Sequence, residues 1–190
     1  AWNDRNLASL AAHIRSHLFF GHIRAAVGSM VVRSNCHPFR HDRWLFQHNG
    51  AIGGFGRIKH RLDMQIRPDL YAEKQGQTDT ETMFLLSLTL GMMDDPQGGI
   101  CRMIEKVEEA RQAEGVDEAF RMTVATSNGS SVYAARYASH GLQPSLYHST
   151  PGALLEATVG DRIELPTDGT LILSEPLDRV PGHWEEVPET

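Results

Sequence analysis

The stretch Trp44–Phe55, WLFQHNGAIGGF, places the tightest constraint on what this chain can fold into. Trp44-Leu45-Phe46 is an apolar run that leads straight into His48-Asn49-Gly50, then into small residues with a double glycine. The pattern predicts a buried strand ending in a turn, with a helix starting soon after. Asn-Gly suits a tight turn because glycine has no Cβ to clash at positive φ and asparagine tolerates the left-handed region. The same pair admits a chemical role. A carboxamide N–H and the next backbone N–H, both at a strand end, can aim two donors at one developing negative charge. The stretch alone leaves turn and oxyanion hole both open.

Around this centre the chain reads as α+β. Leu7, Leu10, Ile14 and Leu18 recur at helical spacing behind Asn3 or Asp4, predicting an amphipathic helix over Asn6–His17. Phe19–Arg24 reads as a short strand and Ser34–Arg40, which contains Pro38, as a loop. Helices are expected over Gly54–Gln65, from Thr78 through Leu90, and after Asp94-Asp95-Pro96 with Ile100, Met103, Ile104 and Val107 on one face. Beyond residue 120 the expectation is strands: Arg121–Ser127, Ser131–Tyr137, Pro144–Ser149, Ala153–Glu156 and Thr170–Ser174. Asn128-Gly129 makes the first two a hairpin. Helices early and antiparallel strands late argue against βαβ repeats. The 190 residues suit one domain, without repeat or linker.

Bulk properties exclude some partners. A net charge of −6 argues against nucleic acid or an anionic membrane. No apolar run approaches the roughly 20 residues of a membrane span. Two cysteines, Cys36 and Cys101, form no disulfide framework and fit a reducing cytoplasm.

Four groups could carry chemistry: His22-Ile23-Arg24, Asn35-Cys36-His37-Pro38-Phe39, His48-Asn49-Gly50 and Thr78-Asp79-Thr80-Glu81. Arg24 can clamp a carboxylate in bidentate fashion or make an ordinary salt bridge. Asp79 can cap a helix or hold an ammonium. Cys36 beside His37 has the composition of an activated thiol, but neighbouring side chains usually diverge. Cys101 is expected to be a buried small hydrophobe. His13 and His17, at i,i+4, suit two zinc ligands but lack a third, so exposed histidines are the plainer reading. No metal or other cofactor is called for.

HIR, NCHPF, WLF-x-HNG-x-I and GQTDTE occur in the order and approximate spacing of the class II glutamine amidotransferases, which are N-terminal-nucleophile hydrolases. The tail Ser174-Glu175-Pro176-Leu177-Asp178, with Trp184 and Val187-Pro188, resembles the stand-alone YafJ-like subgroup, similar to enzymes that cleave γ-glutamyl bonds. The resemblance covers essentially the whole chain. It implies a four-layer αββα sandwich and cleavage of the γ-amide of glutamine or a γ-glutamyl compound. Arg24 would clamp the α-carboxylate and Asp79 the α-ammonium, while Asn49 and Gly50 would form the oxyanion hole, worth about 3 kcal/mol per donor. His22 and His48 would support the strand ends.

The chain departs from the family in two places. The family's nucleophile is a cysteine at the mature N-terminus, whereas this chain opens on Ala1-Trp2; the expectation is that the nucleophile and the first strands lie upstream of these residues. Where a Thr commonly follows the clamp Arg, this chain has Val27, without a hydroxyl to help bind the carboxylate. The expected partner is a glutamine-like small molecule; a separate ammonia-accepting subunit and a homo-oligomer are left open. The alternative is a non-catalytic γ-glutamyl-binding or assembly protein of the same fold.

Overall fold

The computed structural model describes residues 4–23, 30–152, 154–156 and 162–189. Its helices and strands, in chain order, are α1 (Arg5–His13), β1 (Phe39–His41), β2 (Trp44–Ile52), α2 (Phe55–Asp63), α3 (Pro68–Tyr71), α4 (Asp79–Thr89), α5 (Pro96–Ala113), β3 (Phe120–Ser127) and β4 (Val132–Ala138). The short strands β5 (Tyr147–Ser149), β6 (Leu154–Glu156), β7 (Arg162–Glu164), β8 (Ile172–Leu173) and β9 (Trp184–Glu186) follow. This is a mixed α/β fold whose sheets are antiparallel: β1-β2-β3-β4, β8-β5-β9 and the pair β6-β7.

The period of two along β2 divides the large sheet into two faces. Trp44, Phe46, His48 and Ile52 are buried on the helical side, where Phe46 stacks on Phe84 with ring centres 5.2 Å apart. The core there is completed by Ile58 and Leu62 of α2, Met83, Leu86 and Leu88 of α4, Met103 and Val107 of α5, and Phe120, Met122 and Val124 of β3. Helix α4 is buried along Thr80–Leu88, so it runs through the middle of this layer. The opposite face carries Gln47 and Asn49 of β2 beside Ala125 and Thr123 of β3. The β8-β5-β9 sheet lies over that face, tied to it by an ion pair between Arg136 of β4 and Glu186 of β9.

The structure corrects several expectations. Asn49-Gly50 is not a turn: both residues stay within β2, opposite Thr123 and Met122, and the chain turns at Gly53-Gly54. Helix α1 stops at His13 rather than His17, because Ser16 bonds locally to the Leu18 backbone and competes with the helix. Its apolar residues Leu7, Leu10 and Ile14 are exposed. His13 and His17 therefore do not share a helix face. Residues 19–23 form no strand. Cys101 is exposed, on the flank of α5 beside its buried stripe. The strands β1, β7 and β9 were not expected. Among the described residues, no helix is long and apolar enough to cross a membrane.

Candidate active site

The GQTDTE segment is built as a rigid loop feeding a helix. Thr78 is the N-cap of α4, its hydroxyl accepting from the Glu81 amide at 3.3 Å. Buried Glu81 turns back over the loop and accepts from the Gln75 and Gly76 amides at 2.8 and 2.7 Å. Buried Asn35, from the NCHPF segment, accepts from the Gln77 amide at 3.1 Å and donates to the Met30 carbonyl. Lys74 closes the other side, buried against Asp63 and Thr82. Burial pushes its ammonium below the ordinary lysine range, against the pull of Asp63.

With Thr78 as the cap, the Asp79 carboxylate is free to leave the helix. Its Oδ2 accepts from the Ile52 amide at 3.0 Å and its Oδ1 from the Thr80 amide at 2.8 Å. An ionised carboxylate has about four acceptor positions, so two such bonds leave room for a ligand ammonium. Asp79 is thereby fixed to the end of β2, two residues past Gly50.

Asn49 is exposed, on the rim of a cavity of about 110 Å³. The cavity lies between the β2–β3 face (Gln47, Thr123, Ala125) and the small sheet (Ile172 and Leu173 of β8, with Leu146 just before β5). Gly50 has φ 126°, and a Cβ there would stand 2.1 Å from the Arg121 carbonyl oxygen, so no other residue fits.

His48 lies between these parts. Its ring is buried on the helical side, with Nδ1 2.9 Å from Thr80 Oγ1 and Nε2 facing the Arg121 carbonyl without reaching hydrogen-bond geometry. Burial holds its pKa below the usual histidine value, partly offset by Asp79; His22 lowers it further. The His22 Nε2–H donates to the His48 carbonyl at 3.0 Å, and the His22 ring stacks on His37 at 4.0 Å. Asn49 thus lines the cavity, whereas Gly50 and Asp79 are not among its lining residues; Asp79 is joined to the same end of β2 through the Ile52 amide. Arg24 and Val27 fall outside the described residues, while His22, two positions before Arg24, is anchored at the same place. Cys36 is exposed, its Sγ 3.5 Å from the Val32 carbonyl, and neither it nor Cys101 lines the cavity.

A model of the glutamine amidotransferases class-II family matches residues 4–143. The chain belongs to the class II glutamine amidotransferases. It is 32% identical over 212 residues to the Saccharomyces cerevisiae protein named "Probable glutamine amidotransferase DUG3", covering 99% of this chain and 59% of the yeast protein. This amidotransferase chain therefore spans well under two thirds of that relative. A solved structure of a glutamine aminotransferase class-II domain protein from Silicibacter pomeroyi superposes with a TM-score of 0.77 at 35% identity, over 99% of this chain and 74% of that one.

Two parts of this candidate site have no signal in the motifs. The cavity wall of Leu146, just before β5, and Ile172 and Leu173 of β8 lies about a hundred residues or more from Asn49 in sequence, and only the fold brings them there. The Asn35–Gln77 and Glu81–Gly76 bonds join two motifs that read separately as a loop and a cap; the pairing of a buried amide with a Gly-Gln backbone is invisible until the chain is closed.

Proposed function

We propose that this chain cleaves the γ-amide of glutamine or of another γ-glutamyl compound, giving glutamate and ammonia or an amine. The observation that carries this reading is the placement of Asp79, a half-buried carboxylate with spare acceptor capacity, at the strand end that bears Asn49 and Gly50. A free amino-acid headgroup pairs one ammonium with one carboxylate. Asp79 takes the first and Arg24 the second, while Asn49 and the Gly50 amide stabilise the oxyanion formed at the γ-carbonyl. The attacking thiol of the family is an N-terminal cysteine whose own amino group moves the proton, and neither Cys36 nor Cys101 is among the residues lining the cavity. The reading brings with it the four-layer αββα sandwich, for which the helical layer and the two facing sheets are support. It also brings a cytoplasmic setting and, where ammonia is used rather than released, a separate acceptor subunit.

The position of the cysteines gives weight to a second reading, a γ-glutamyl-binding protein without chemistry. The two separate in one experiment on the full-length protein. L-glutamine and γ-glutamyl-p-nitroanilide are supplied, glutamate release is followed, and binding of L-glutamate is measured by calorimetry. Release that disappears in Asn49→Ala supports the enzyme; binding without release supports the binding protein. Neither binding nor release overturns both.

A further inference from the structure

We infer that His48 is a positioning residue, which sets the distance between the oxyanion donors and the headgroup carboxylate by holding β2 against the first turn of α4. The inference rests on the reading above and deepens it. Two ties join these elements, one on each side of Asn49-Gly50. The Ile52 amide donates to Asp79 Oδ2 after the pair, and the His48 ring meets Thr80 Oγ1 at 2.9 Å before it. Thr80 in turn gives its amide to Asp79 Oδ1, and its hydroxyl lies 3.5 Å from the same oxygen. His48, Thr80 and Asp79 are thus one connected chain, and His48 and Thr80 are 3% and 2% exposed, so water does not compete for the contact. The His48 main chain makes the third connection, accepting from His22 in the segment that leads to Arg24. A single residue of β2 is therefore bonded both to the first turn of α4, which bears Asp79, and to His22. The His48–Thr80 contact itself uses no atom proposed to touch substrate; the chain reaches the headgroup contact only at the Asp79 carboxylate.

Such a residue governs the alignment of bound substrate with the oxyanion donors more than the binding itself, and misplacement of a reacting group by about 1 Å can cost about a hundredfold in rate. The test is steady-state hydrolysis of L-glutamine by full-length protein carrying Thr80→Val, Thr80→Ser, His48→Ala or His48→Asn, with Tm recorded for each. Thr80→Val keeps the shape and removes the hydroxyl; Thr80→Ser keeps the hydroxyl; His48→Asn places an amide group near the position of Nδ1. The expected result is kcat lowered about tenfold or more in Thr80→Val and His48→Ala, with KM within about threefold. Thr80→Ser and His48→Asn should recover most of the loss, and the Thr80→Val/His48→Ala pair should be no worse than the poorer single variant. With the unsubstituted protein active, a Thr80→Val enzyme within about twofold in kcat overturns the inference alone, as does a loss that Thr80→Ser fails to recover. If His48→Ala does not fold, the two Thr80 variants decide. An unsubstituted protein that neither hydrolyses glutamine nor binds glutamate overturns the functional reading, and this inference with it.

Discussion

Asp79 reaches back from the first turn of α4 and accepts a hydrogen bond from the main-chain amide of Ile52 at 3.0 Å. The bond fixes a helix start to a strand end and leaves the carboxylate half-buried, where its charge is weakly screened. Replacing Asp79 by asparagine removes the charge and leaves one acceptor oxygen where the Ile52 and Thr80 amides now use one each. Asp79→Asn should therefore fold with a modestly lowered Tm and lose about 10- to 100-fold in kcat/KM for glutamine, the scale of one charged hydrogen bond. Asp79→Ala should show the same kinetic loss and a lower Tm, because the Ile52 amide is left without its acceptor.

Asn49 is exposed, so its side chain contributes little to folding. Asn49→Ala should leave the urea midpoint within error of the wild type and lower kcat by about 100- to 1000-fold, with KM little changed. Equal losses in Tm and activity would assign Asn49 a structural role instead.

Gly76 is packed where a side chain cannot go. A Cβ there would lie 2.6 Å from both Asn35 Oδ1 and the Ser34 carbonyl, and 3.0 Å from Glu81 Oε2. Gly76→Ala should cost about 1–3 kcal/mol in chemical denaturation. It should also weaken substrate binding, since the displaced loop carries Thr78 and Asp79.

Lys74 and Asp63 form an ion pair with side chains only 7% and 12% exposed. Asp63→Leu alone strands a buried ammonium and should lose about 3 kcal/mol or more. The double variant Asp63→Leu/Lys74→Met should be more stable than either single one by equilibrium unfolding, since no unpaired charge remains.

His48 has a folded pKa below the ordinary 6.5, with burial as the main cause and the Asp79 charge opposing it. The unfolded chain therefore takes up this proton more readily than the folded one. The contribution to stability is complete above 6.5 and is lost as pH falls from there through the lowered folded value. Tm measured from about pH 7.5 down to about pH 5 should fall for the wild type, and fall less for His48→Asn. Asp79, His22 and the Arg121 carbonyl face the ring, so the pH series is best repeated in Asp79→Asn, where removal of the opposing charge should extend the loss, still beginning near 6.5, to lower pH.

The elements with local signals were legible in the sequence. Thr78 and Asp95-Pro96 mark the starts of α4 and α5, and Asn128-Gly129 between β3 and β4 marks the hairpin, because caps and turns act within a few residues. The strand β2 was legible too, but its end was not. Asn-Gly has a strong local preference for turning, and pairing with Met122 and Thr123, more than seventy residues away, overrides it. The stripe Leu7-Leu10-Ile14 misled in the opposite sense: periodicity reports that a face is apolar, not that something covers it. At the candidate site the motif residues themselves could be read from sequence. The role of His48 as their common anchor could not, since its partners Thr80 and His22 are 32 and 26 positions away and declare no pattern.

The division of β2 into two faces has a consequence for how this strand can vary. Imidazole and carboxamide are neighbours in sequence and look in opposite directions, one to the buried start of α4 and one into the cleft. Deleting one residue between Trp44 and His48, with the register of the upstream half retained, would exchange them. A carboxamide would then be sealed in the core, with a titrating ring at the mouth of the cavity. Length in this half-strand is therefore as fixed as identity, and natural insertions should be found beyond Gly53-Gly54, where the chain has already left the sheet.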